Sequence, residues 1–251
     1  IFVELFKNGT IIEDLRPNIY DPVEGTTIAD AEVERLPRKT KLVDVIWQLD
    51  DGSEIIISTT RPELICACGV VVVHPDDERY KHLHGKKAIV PICNREIPII
   101  QDDYIDLEFG TGCLKVTPAH DVNDYELGVK HNLEVINTIA ADGTMSSDAG
   151  KYEGMDRFVV RKQIAKDIGE LDGLVKVEDY TNKVGRSERT DAIIEPRLSL
   201  QWFMAMEKLA KPALDHVMDD TIKFHPAKFK NSYRHWMENI KDWCVSRQLW
   251  W

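Results

Sequence analysis

The feature that most restricts the fold is a turn, Asp50-Asp51-Gly52, set between two segments of alternating apolar residues. Residues 42–49 and 54–60 flank this turn, and an Asp-Gly pair in such a setting predicts an antiparallel hairpin. A second hairpin is predicted from residues 88–90 and 97–100, because β-branched segments again lie a few residues apart. The central part of the chain is therefore expected to be built on sheets.

Helices are predicted from caps and periodicity. Asp121 is suited to cap a helix that runs to about His131, and Asp156 one that runs from Arg157 to about Leu171. Further helices are expected at 1–7, 200–217 and 229–240, and further strands at 70–73, 113–117, 133–138, 174–180 and 192–198. Short strands in hairpins, with a few helices between them, predict a mixed α/β fold with a β-barrel-like core.

The pattern also predicts how the chain is organised. A folded domain is expected at 41–190. The segments 1–40 and 191–251 are expected to be stems that connect this domain to a larger protein. Most of the first stem after the helix is expected to be irregular, since it contains Pro17, Pro22 and Gly25. The chain begins at Ile1 inside an apolar pattern, which is interpreted as the start of an excised fragment.

Charge and composition narrow the classes of function. The 251 residues carry a net charge of −11, which argues against a sequence-blind nucleic-acid binder but allows a local basic site. No apolar run approaches the roughly 18 residues of a membrane span, so no membrane partner is expected. The five cysteines are odd in number and lack metal-ligand spacing. They are expected to be reduced thiols of a cytoplasmic protein, without a metal site.

Polar residues first collect at the end of a predicted strand. Thr59 and Thr60 should point to opposite sides of that strand, so that one hydroxyl, followed by Arg61, can face a ligand. The same residues also suit a plain strand end before Pro62. Both interpretations stay open at this point.

A second polar segment follows Gly110-Thr111-Gly112. Strand alternation places Lys115 and Thr117 on one face, and Leu114 and Val116 on the other. The apolar pair is expected in the core, which leaves Lys115 either on a pocket face or as a solvated lysine of an edge strand. The Gly-Thr-Gly run does not predict a phosphate loop, because no Gly-Lys-Ser/Thr follows it.

The third polar segment contains His120, Asp121 and Asp124. Two carboxylates one turn apart at a helix start suit capping, since the helix dipole favours negative charge there. They also suit binding of a substrate ammonium group. A metal site is a third interpretation, although no further ligand segment is apparent in the sequence.

Taken in order, these segments resemble those of the valyl-tRNA synthetases, which are class I aminoacyl-tRNA synthetases. The resemblance is carried by Thr59-Thr60-Arg61-Pro62-Glu63, 74–80, 95–100, 109–112, Lys115, 117–121, Asn123-Asp124 and the tail 242–251. Isoleucyl relatives differ in carrying His at the position of Lys115 and Gly at that of Asp121. The similarity extends over nearly the whole length in one order.

The resemblance implies an editing domain, inserted into a Rossmann catalytic domain, that hydrolyses threonine wrongly esterified to the tRNA for valine. An apolar synthetic site discriminates poorly against an added hydroxyl, and valine against threonine is the standard example of this limit. Asp124 is implied to bind the α-ammonium group and to act at the ester together with Lys115 and Thr117. The substrate-binding residues implied are Thr59, Thr60, Arg61, Phe109, His120 and Asp121.

Cofactor and partners are implied in the same way. A positioned water is expected as nucleophile, with no cofactor for editing. ATP belongs to the catalytic domain, whose His-Ile-Gly-His and Lys-Met-Ser-Lys-Ser motifs are absent here, so no aminoacylation is expected. The expected partners are the tRNA for valine carrying threonine and the rest of the synthetase chain.

The sequence departs from the family pattern at two places in this region. Leu64 stands where the family has Thr, and Ala67-Cys68-Gly69 where it has Gly-Asp-Thr. These departures keep an editing-inactive tRNA-binding insert open as an alternative. Isoleucyl-type editing of valyl-tRNA is a second alternative, which Lys115 and Asp121 oppose, and a metal hydrolase is a third.

Overall fold

A computed structural model describes residues 1–107 and 110–249. It separates the chain into two compact units. The larger unit is Pro17–Leu198, and the smaller unit joins Ile1–Arg16 to the part of the chain from Ser199 onward. None of the described helices is both long enough and apolar enough to cross a membrane.

The described residues contain strands and helices distributed along the whole chain. The strands are β1 (Ile11–Asp21), β2 (Thr26–Thr27), β3 (Val33–Gln48), β4 (Glu54–Thr59), β5 (Val70–Val73), β6 (Lys87–Val90), β7 (Arg95–Gln101), β8 (Cys113–Val116), β9 (Leu174–Ser187), β10 (Glu195–Met204) and β11 (Trp243–Cys244). The helices are α1 (Phe2–Lys7), α2 (Val122–Lys130), α3 (Arg157–Glu170), α4 (Met206–Met218) and α5 (Phe229–Glu238). Short 3-10 helices include Pro62–Ala67, directly after β4.

Two sheets form the centre of the larger unit. One has the strand order β4-β3-β9, and the other the order β6-β7-β5-β8. The strands in both sheets pair antiparallel except β5 and β7, which are parallel. The mixed α/β class is confirmed, and its described strands form open sheets rather than one closed barrel.

Alternation along β5 divides the core of the larger unit into two clusters. Val71 and Val73 pack into a large cluster around Trp47, and Val70 and Val72 into a smaller cluster that also contains Leu127 of α2. Successive side chains of a strand point to opposite faces, so β5 and its neighbour β8 lie between the two clusters. This central position brings β8 residues next to the core.

Both predicted hairpins and both predicted helix caps are confirmed. The side chain of Asp121 accepts hydrogen bonds from the backbone N–H groups of Asn123 and Asp124, and Asp156 does the same for Phe158 and Val159. These caps satisfy donors that have no partner inside the helix. The N-terminal helix is also confirmed, as α1.

Several predicted elements are wrong. Residues 11–21, expected to be irregular, form β1, in which Pro17 is tolerated within an extended segment. Residues 133–138, expected to be a strand, have no ladder partner and form no regular element. Residues 200–204, expected to begin a helix, complete β10, whose end pairs with β11 in the smaller unit.

The cysteines also differ from expectation. Cys66 and Cys93 form a disulfide with a Cα–Cα distance of 6.0 Å, so the prediction of reduced thiols is wrong for this pair. Their separation of 27 positions gave no sign of proximity, which arises because the turn between β6 and β7 reaches the 3-10 helix after β4. Cys68, Cys113 and Cys244 are free thiols.

Candidate functional site

Lys115 lies on β8 directly opposite Val71 of β5. Directly opposed residues share a face of the sheet, so Lys115 is on the side of the large cluster. Leu114 and Val116 pack into the smaller cluster, as predicted. The opposite face is less polar than expected, because Cys113 belongs to the large core and Lys115 is only 9% exposed.

The ammonium group of Lys115 has no hydrogen bond or ion pair with the described residues. It is nevertheless close enough to Asp124 and His120 to act on the pKa of both groups. The side chain is only 9% exposed, but its Nζ is not fully buried, so the stem lies in the core while the ammonium group reaches solvent. Lys115 is therefore largely buried although β8 is an edge strand, and its ammonium group offers three donors to a ligand oxygen.

Asp124 lies in the first turn of α2 and is also buried. Its Oδ2 accepts hydrogen bonds from the backbone N–H of Thr117 at 2.7 Å and from the Thr117 hydroxyl at 3.0 Å. Its Oδ1 has no hydrogen bond with the described residues. Burial raises the pKa of Asp124, while the Thr117 N–H and Lys115 oppose that rise.

Asp121 and Asp124 have different surroundings, although they lie one turn apart. The Asp121 side chain is exposed and caps α2, whereas Asp124 is buried against Thr117. The capping interpretation therefore holds for Asp121, and Asp124 is the largely buried residue whose Oδ1 has no partner among the described residues.

His120 is 3% exposed, and its hydrogen bonding defines its tautomer. Nε2 accepts a hydrogen bond from the backbone N–H of Thr138 at 3.1 Å, so the proton of the neutral ring is on Nδ1. Burial, together with the charges of Arg61, Lys115 and Arg197, lowers the pKa of His120 to about 3. The lone pair that a metal ion would need is occupied, which removes the support for a metal at this histidine.

Thr59 and Thr60 behave as the alternation predicts. Thr59 ends β4 with a buried side chain, and its Oγ1 accepts a hydrogen bond from the backbone N–H of Arg61 at 3.1 Å. Thr60 follows the strand and is half-buried. The Thr59 hydroxyl thus helps to turn the chain toward the 3-10 helix that begins at Pro62.

Arg61 is held by two buried carboxylates. Its Nε donates to Glu63 Oε1 at 3.0 Å, and its Nη2 donates to Glu195 Oε2 at 2.6 Å. Burial alone would lower the pKa of the guanidinium, but the two carboxylates outweigh burial and raise it. Nη1 has no hydrogen bond with the described residues, so Arg61 keeps donors for a ligand.

Helix α3 supplies two more guanidinium groups to these carboxylates. Arg161 makes two hydrogen bonds to Glu63, at 2.9 and 2.6 Å, and Arg157 forms an ion pair with Glu195 at 2.8 Å. Although burial would raise the pKa of Glu63, Arg61 and Arg161 lower it. The three arginines and two glutamates form one network that fixes the guanidinium of Arg61 beside the pocket.

Comparisons with known proteins identify the family. The family model described as tRNA synthetases class I (I, L, M and V) matches residues 1–251. The chain belongs to the class I tRNA synthetases. The resemblance inferred from the motifs is confirmed.

Relatives with high similarity to this synthetase chain are named valine–tRNA ligases. Those of Porphyromonas gingivalis and Bacteroides fragilis are each 54% identical to it, and that of Chlorobaculum tepidum is 51% identical. Each match covers 100% of this chain and 28–29% of the relative, so the chain spans under a third of their length. A chain of the Agrobacterium radiobacter K84 LeuRS–tRNA–LeuAMS complex aligns with 72% of this chain and 31% of its own, at 14% identity and a TM-score of 0.45, too weak a likeness to define the fold.

The family departures occupy defined places in this synthetase chain. Leu64 packs into the large hydrophobic cluster, where it is 2% exposed. Cys68 is fully buried, and burial raises the pKa of its thiol to about 11, while Lys115 opposes the rise. Cys68 is therefore a protonated thiol beside the Lys115 charge and not a nucleophile.

The structure brings together most of the predicted site residues. Lys115, Thr117, His120 and Asp124 are largely buried, Thr117 is hydrogen-bonded to Asp124, and Lys115 and Arg61 are close enough to act on the pKa of His120. Phe109, also predicted to bind substrate, lies outside the described residues. No group of three or more His, Cys, Asp or Glu side chains within 1–107 and 110–249 is arranged to hold a metal ion.

Sequence reasoning missed the carboxylates that hold Arg61. Glu195 follows two isoleucines and precedes Pro196, and an acidic residue in such an apolar segment is a sign of a buried charge. No comparable signal marks Glu63, whose partner Arg161 is 98 positions away.

Proposed function

We propose that this chain hydrolyses the ester bond of threonyl-tRNA for valine, as the editing part of a valine–tRNA ligase. The observation that carries the proposal is the combination of an ammonium group on Lys115 and a carboxylate oxygen on Asp124 that belong to largely buried side chains, remain open to solvent and have no partner among the described residues. An aminoacyl ester presents both complementary groups, an α-ammonium and several oxygens. The valine–tRNA ligase names of the relatives support the tRNA as the carrier of that ester.

In this proposal Asp124 Oδ1 binds the α-ammonium of the threonyl group. Thr117 holds the carboxylate through Oδ2, so that the second oxygen is presented at a fixed position. The arriving ammonium also offsets the burial that raises the pKa of Asp124. A charge-assisted contact of this kind is stronger than one between neutral groups.

Lys115 is assigned to the oxygens of the threonyl group. A donor in a buried site stabilises the negative charge that develops on the carbonyl oxygen during attack. Water attacks the carbonyl carbon, the bond from that carbon to the ribose oxygen breaks, and the ribose oxygen takes the proton. The products are threonine and a tRNA with a free terminal hydroxyl.

Two side chains are unsuited to a more direct part in the chemistry. His120 uses Nε2 to accept the Thr138 N–H, and its pKa of about 3 makes it a weak base at neutral pH. Cys68 is protonated at neutral pH, since burial raises its pKa to about 11. This supports attack by water that is positioned by the site, without a covalent intermediate.

The test is deacylation of threonyl-tRNA and valyl-tRNA, both of the valine type, by the full-length ligase that contains this chain. We expect rapid loss of threonine only, and its near-abolition by Asp124→Ala. Asp121→Asn serves as the matched control, because it removes a neighbouring charge but leaves a good cap. Equal hydrolysis of both esters, or hydrolysis that needs a metal ion, would contradict the proposal.

One observation favours a second candidate, an RNA-binding insert without hydrolytic activity. Leu64 is part of the hydrophobic core, so the position where the family has Thr offers no hydroxyl to the pocket. This candidate predicts that the wild-type enzyme binds threonyl-tRNA but does not deacylate it. Hydrolysis gained by Leu64→Thr would then identify the lost hydroxyl as the cause.

A further inference from the structure

We propose that the cleft lined by Tyr20, His120, Asn137 and Arg197 binds a phosphodiester group of RNA beside the Lys115–Asp124 pocket. Its remaining lining residues are Pro22, Ile139, Ala140, Glu195 and Pro196. The identity of the RNA rests on the proposed function. The cleft itself lies within the larger unit and shares His120 with the pocket.

Arg197 has an unusual environment among the arginines of this region. Its half-buried guanidinium lies over the ring of Tyr20, 5.3 Å from the centroid, and forms no ion pair or hydrogen bond with the described residues. Arg61 and Arg157, by contrast, are both bound to Glu195. Arg197 therefore keeps a planar set of donors, which suits the two oxygens of a phosphodiester.

Neutral donors surround this guanidinium in the cleft. The proton on His120 Nδ1 has no acceptor among the described residues, because the ring uses Nε2 for Thr138. The side-chain amide of Asn137 accepts through Oδ1 from the Ile139 N–H, which leaves its NH₂ group free. The Tyr20 hydroxyl is likewise without a hydrogen bond in the described part of the chain. Unused donors around a cation are what an oxyanion requires.

The carboxylate of Glu195, which also lines the cleft, does not cancel the preference of the cleft for an anion. Both oxygens of Glu195 are engaged, Oε2 by Arg61 and Oε1 by Arg157. The charges of Arg61, Lys115 and Arg197 all act on His120, and together with burial they keep its ring neutral. The cleft is thus locally positive although the chain carries a net charge of −11. An anionic ligand fits this balance.

Position favours RNA over free phosphate as the source of the anion. His120 lines the cleft and is close enough to Lys115 for that charge to act on its pKa, so the cleft lies near the pocket in which the proposed function places the aminoacyl ester. The anionic group nearest to that ester in a tRNA is the phosphodiester that precedes the terminal nucleotide. An RNA whose 3′ end lies in the pocket would bring this group to the cleft.

The experiment measures binding of a tRNA acceptor-stem RNA to the full-length enzyme. Threonine is attached through an amide, which is not hydrolysed, and the last phosphodiester is either natural or replaced by a neutral methylphosphonate. We expect Arg197→Gln to weaken binding of the natural RNA roughly tenfold to a hundredfold, as for a lost charge-assisted hydrogen bond. The same variant should bind the neutral RNA as the wild type does, and Arg197→Lys should recover part of the loss.

Arg38→Gln is the matched control, because Arg38 also contacts an aromatic ring and forms no ion pair among the described residues. An equal loss in Arg197→Gln and Arg38→Gln would overturn the proposal, as would no loss in Arg197→Gln. Equal binding of natural and neutral RNA, with competition by inorganic phosphate at Arg197, would assign the cleft to free phosphate and overturn the RNA assignment.

The binding assay tests the cleft independently of the hydrolytic activity. A charge-dependent effect of Arg197 in an enzyme that does not deacylate threonyl-tRNA would support the cleft and reject the proposed function. Deacylation of threonyl-tRNA, together with no effect of Arg197→Gln on RNA binding, would support the proposed function and reject the phosphodiester site in the cleft. Unchanged thermal unfolding midpoints of the Arg197→Gln and Arg197→Lys variants would show that the comparison concerns binding and not folding.

Discussion

Arg61 donates a hydrogen bond of 2.6 Å to Glu195, a residue 134 positions further along the chain. The same carboxylate forms an ion pair with Arg157 of α3 at 2.8 Å. Glu195 is 5% exposed at its side chain and Arg157 is 6% exposed, so both charges depend on each other for compensation. The position of Arg61 beside the pocket therefore depends on a residue that contributes nothing to the motif around it.

Replacement of Glu195 by Gln should destabilise the protein. The change leaves Arg157 and one side of Arg61 without their counter-charge, and breaking such a buried pair costs about 3–5 kcal/mol. Thermal unfolding should show a midpoint several degrees lower. Glu178→Gln is the control, because the pair of Glu178 with Lys176 is largely exposed and contributes little. A similar shift in both variants would mean that the Glu195 network is not the stabilising element.

Replacement of Lys115 by Met should separate stability from activity. Met has a similar length and keeps the apolar stem in the core, and the ammonium group that it removes has no partner among the described residues, so we expect a nearly unchanged unfolding midpoint. Threonyl-tRNA deacylation should fall by about a hundredfold or more, as when a donor to a developing oxyanion is lost. Both quantities are measured on the same enzyme preparation. A strongly destabilised Lys115→Met would indicate a structural ion pair in place of a ligand-binding ammonium.

The two aspartates at the start of α2 should respond differently to the same substitution. Asp124→Asn removes the carboxylate charge that is proposed to bind the substrate ammonium. We expect the KM for threonyl-tRNA to rise by roughly tenfold to a hundredfold. Asp121→Asn should leave KM and stability nearly unchanged, because Asn caps a helix as well as Asp does. Steady-state deacylation kinetics of the two variants provide the comparison. An equal effect at Asp121 would show that both carboxylates bind substrate.

His120 should make the protein sensitive to acid. Its pKa is lowered from 6.5 to about 3 by burial and by Arg61, Lys115 and Arg197, so the folded state excludes a proton that the unfolded state binds. The stability due to the neutral ring is complete above about pH 6.5 and declines by about 1.4 kcal/mol per pH unit as the pH falls toward 3. From pH 7 to pH 5, unfolding midpoints should therefore fall further in the wild type than in His120→Gln. Parallel declines would show that another group is responsible.

Local signals in the sequence were sufficient for the hairpins and the capped helices. Asp50-Asp51-Gly52 supplies the turn between β3 and β4, and Asp121 and Asp156 satisfy the first N–H groups of α2 and α3. Where a segment depends on a distant partner, prediction failed. Residues 11–21 and 133–138 have similar apolar content, but only the former finds a strand to pair with.

In the candidate site, too, features set by local sequence were predicted and features set by distant partners were not. Alternation correctly placed Leu114 and Val116 in the core, and the motifs pointed to Lys115 and Asp124. The burial of Lys115 could not be predicted, since it depends on its pairing opposite Val71, 44 positions earlier in the chain. Arg197 belongs to no recognised motif. Its role in the cleft depends on contact with Tyr20, which lies near the opposite end of the larger unit in sequence.

The Arg61–Glu195 contact has a consequence for synthesis on the ribosome. Translation proceeds from the N-terminus, so β4, β8 and α2 are complete long before Glu195 leaves the exit tunnel. Until then, Arg61 and Arg157 have no carboxylate from β10, and a contact between such distant residues forms only after a large loss of chain entropy. The nascent chain can assemble the sheet β6-β7-β5-β8 first, but the electrostatic setting of the pocket is completed near the end of the unit.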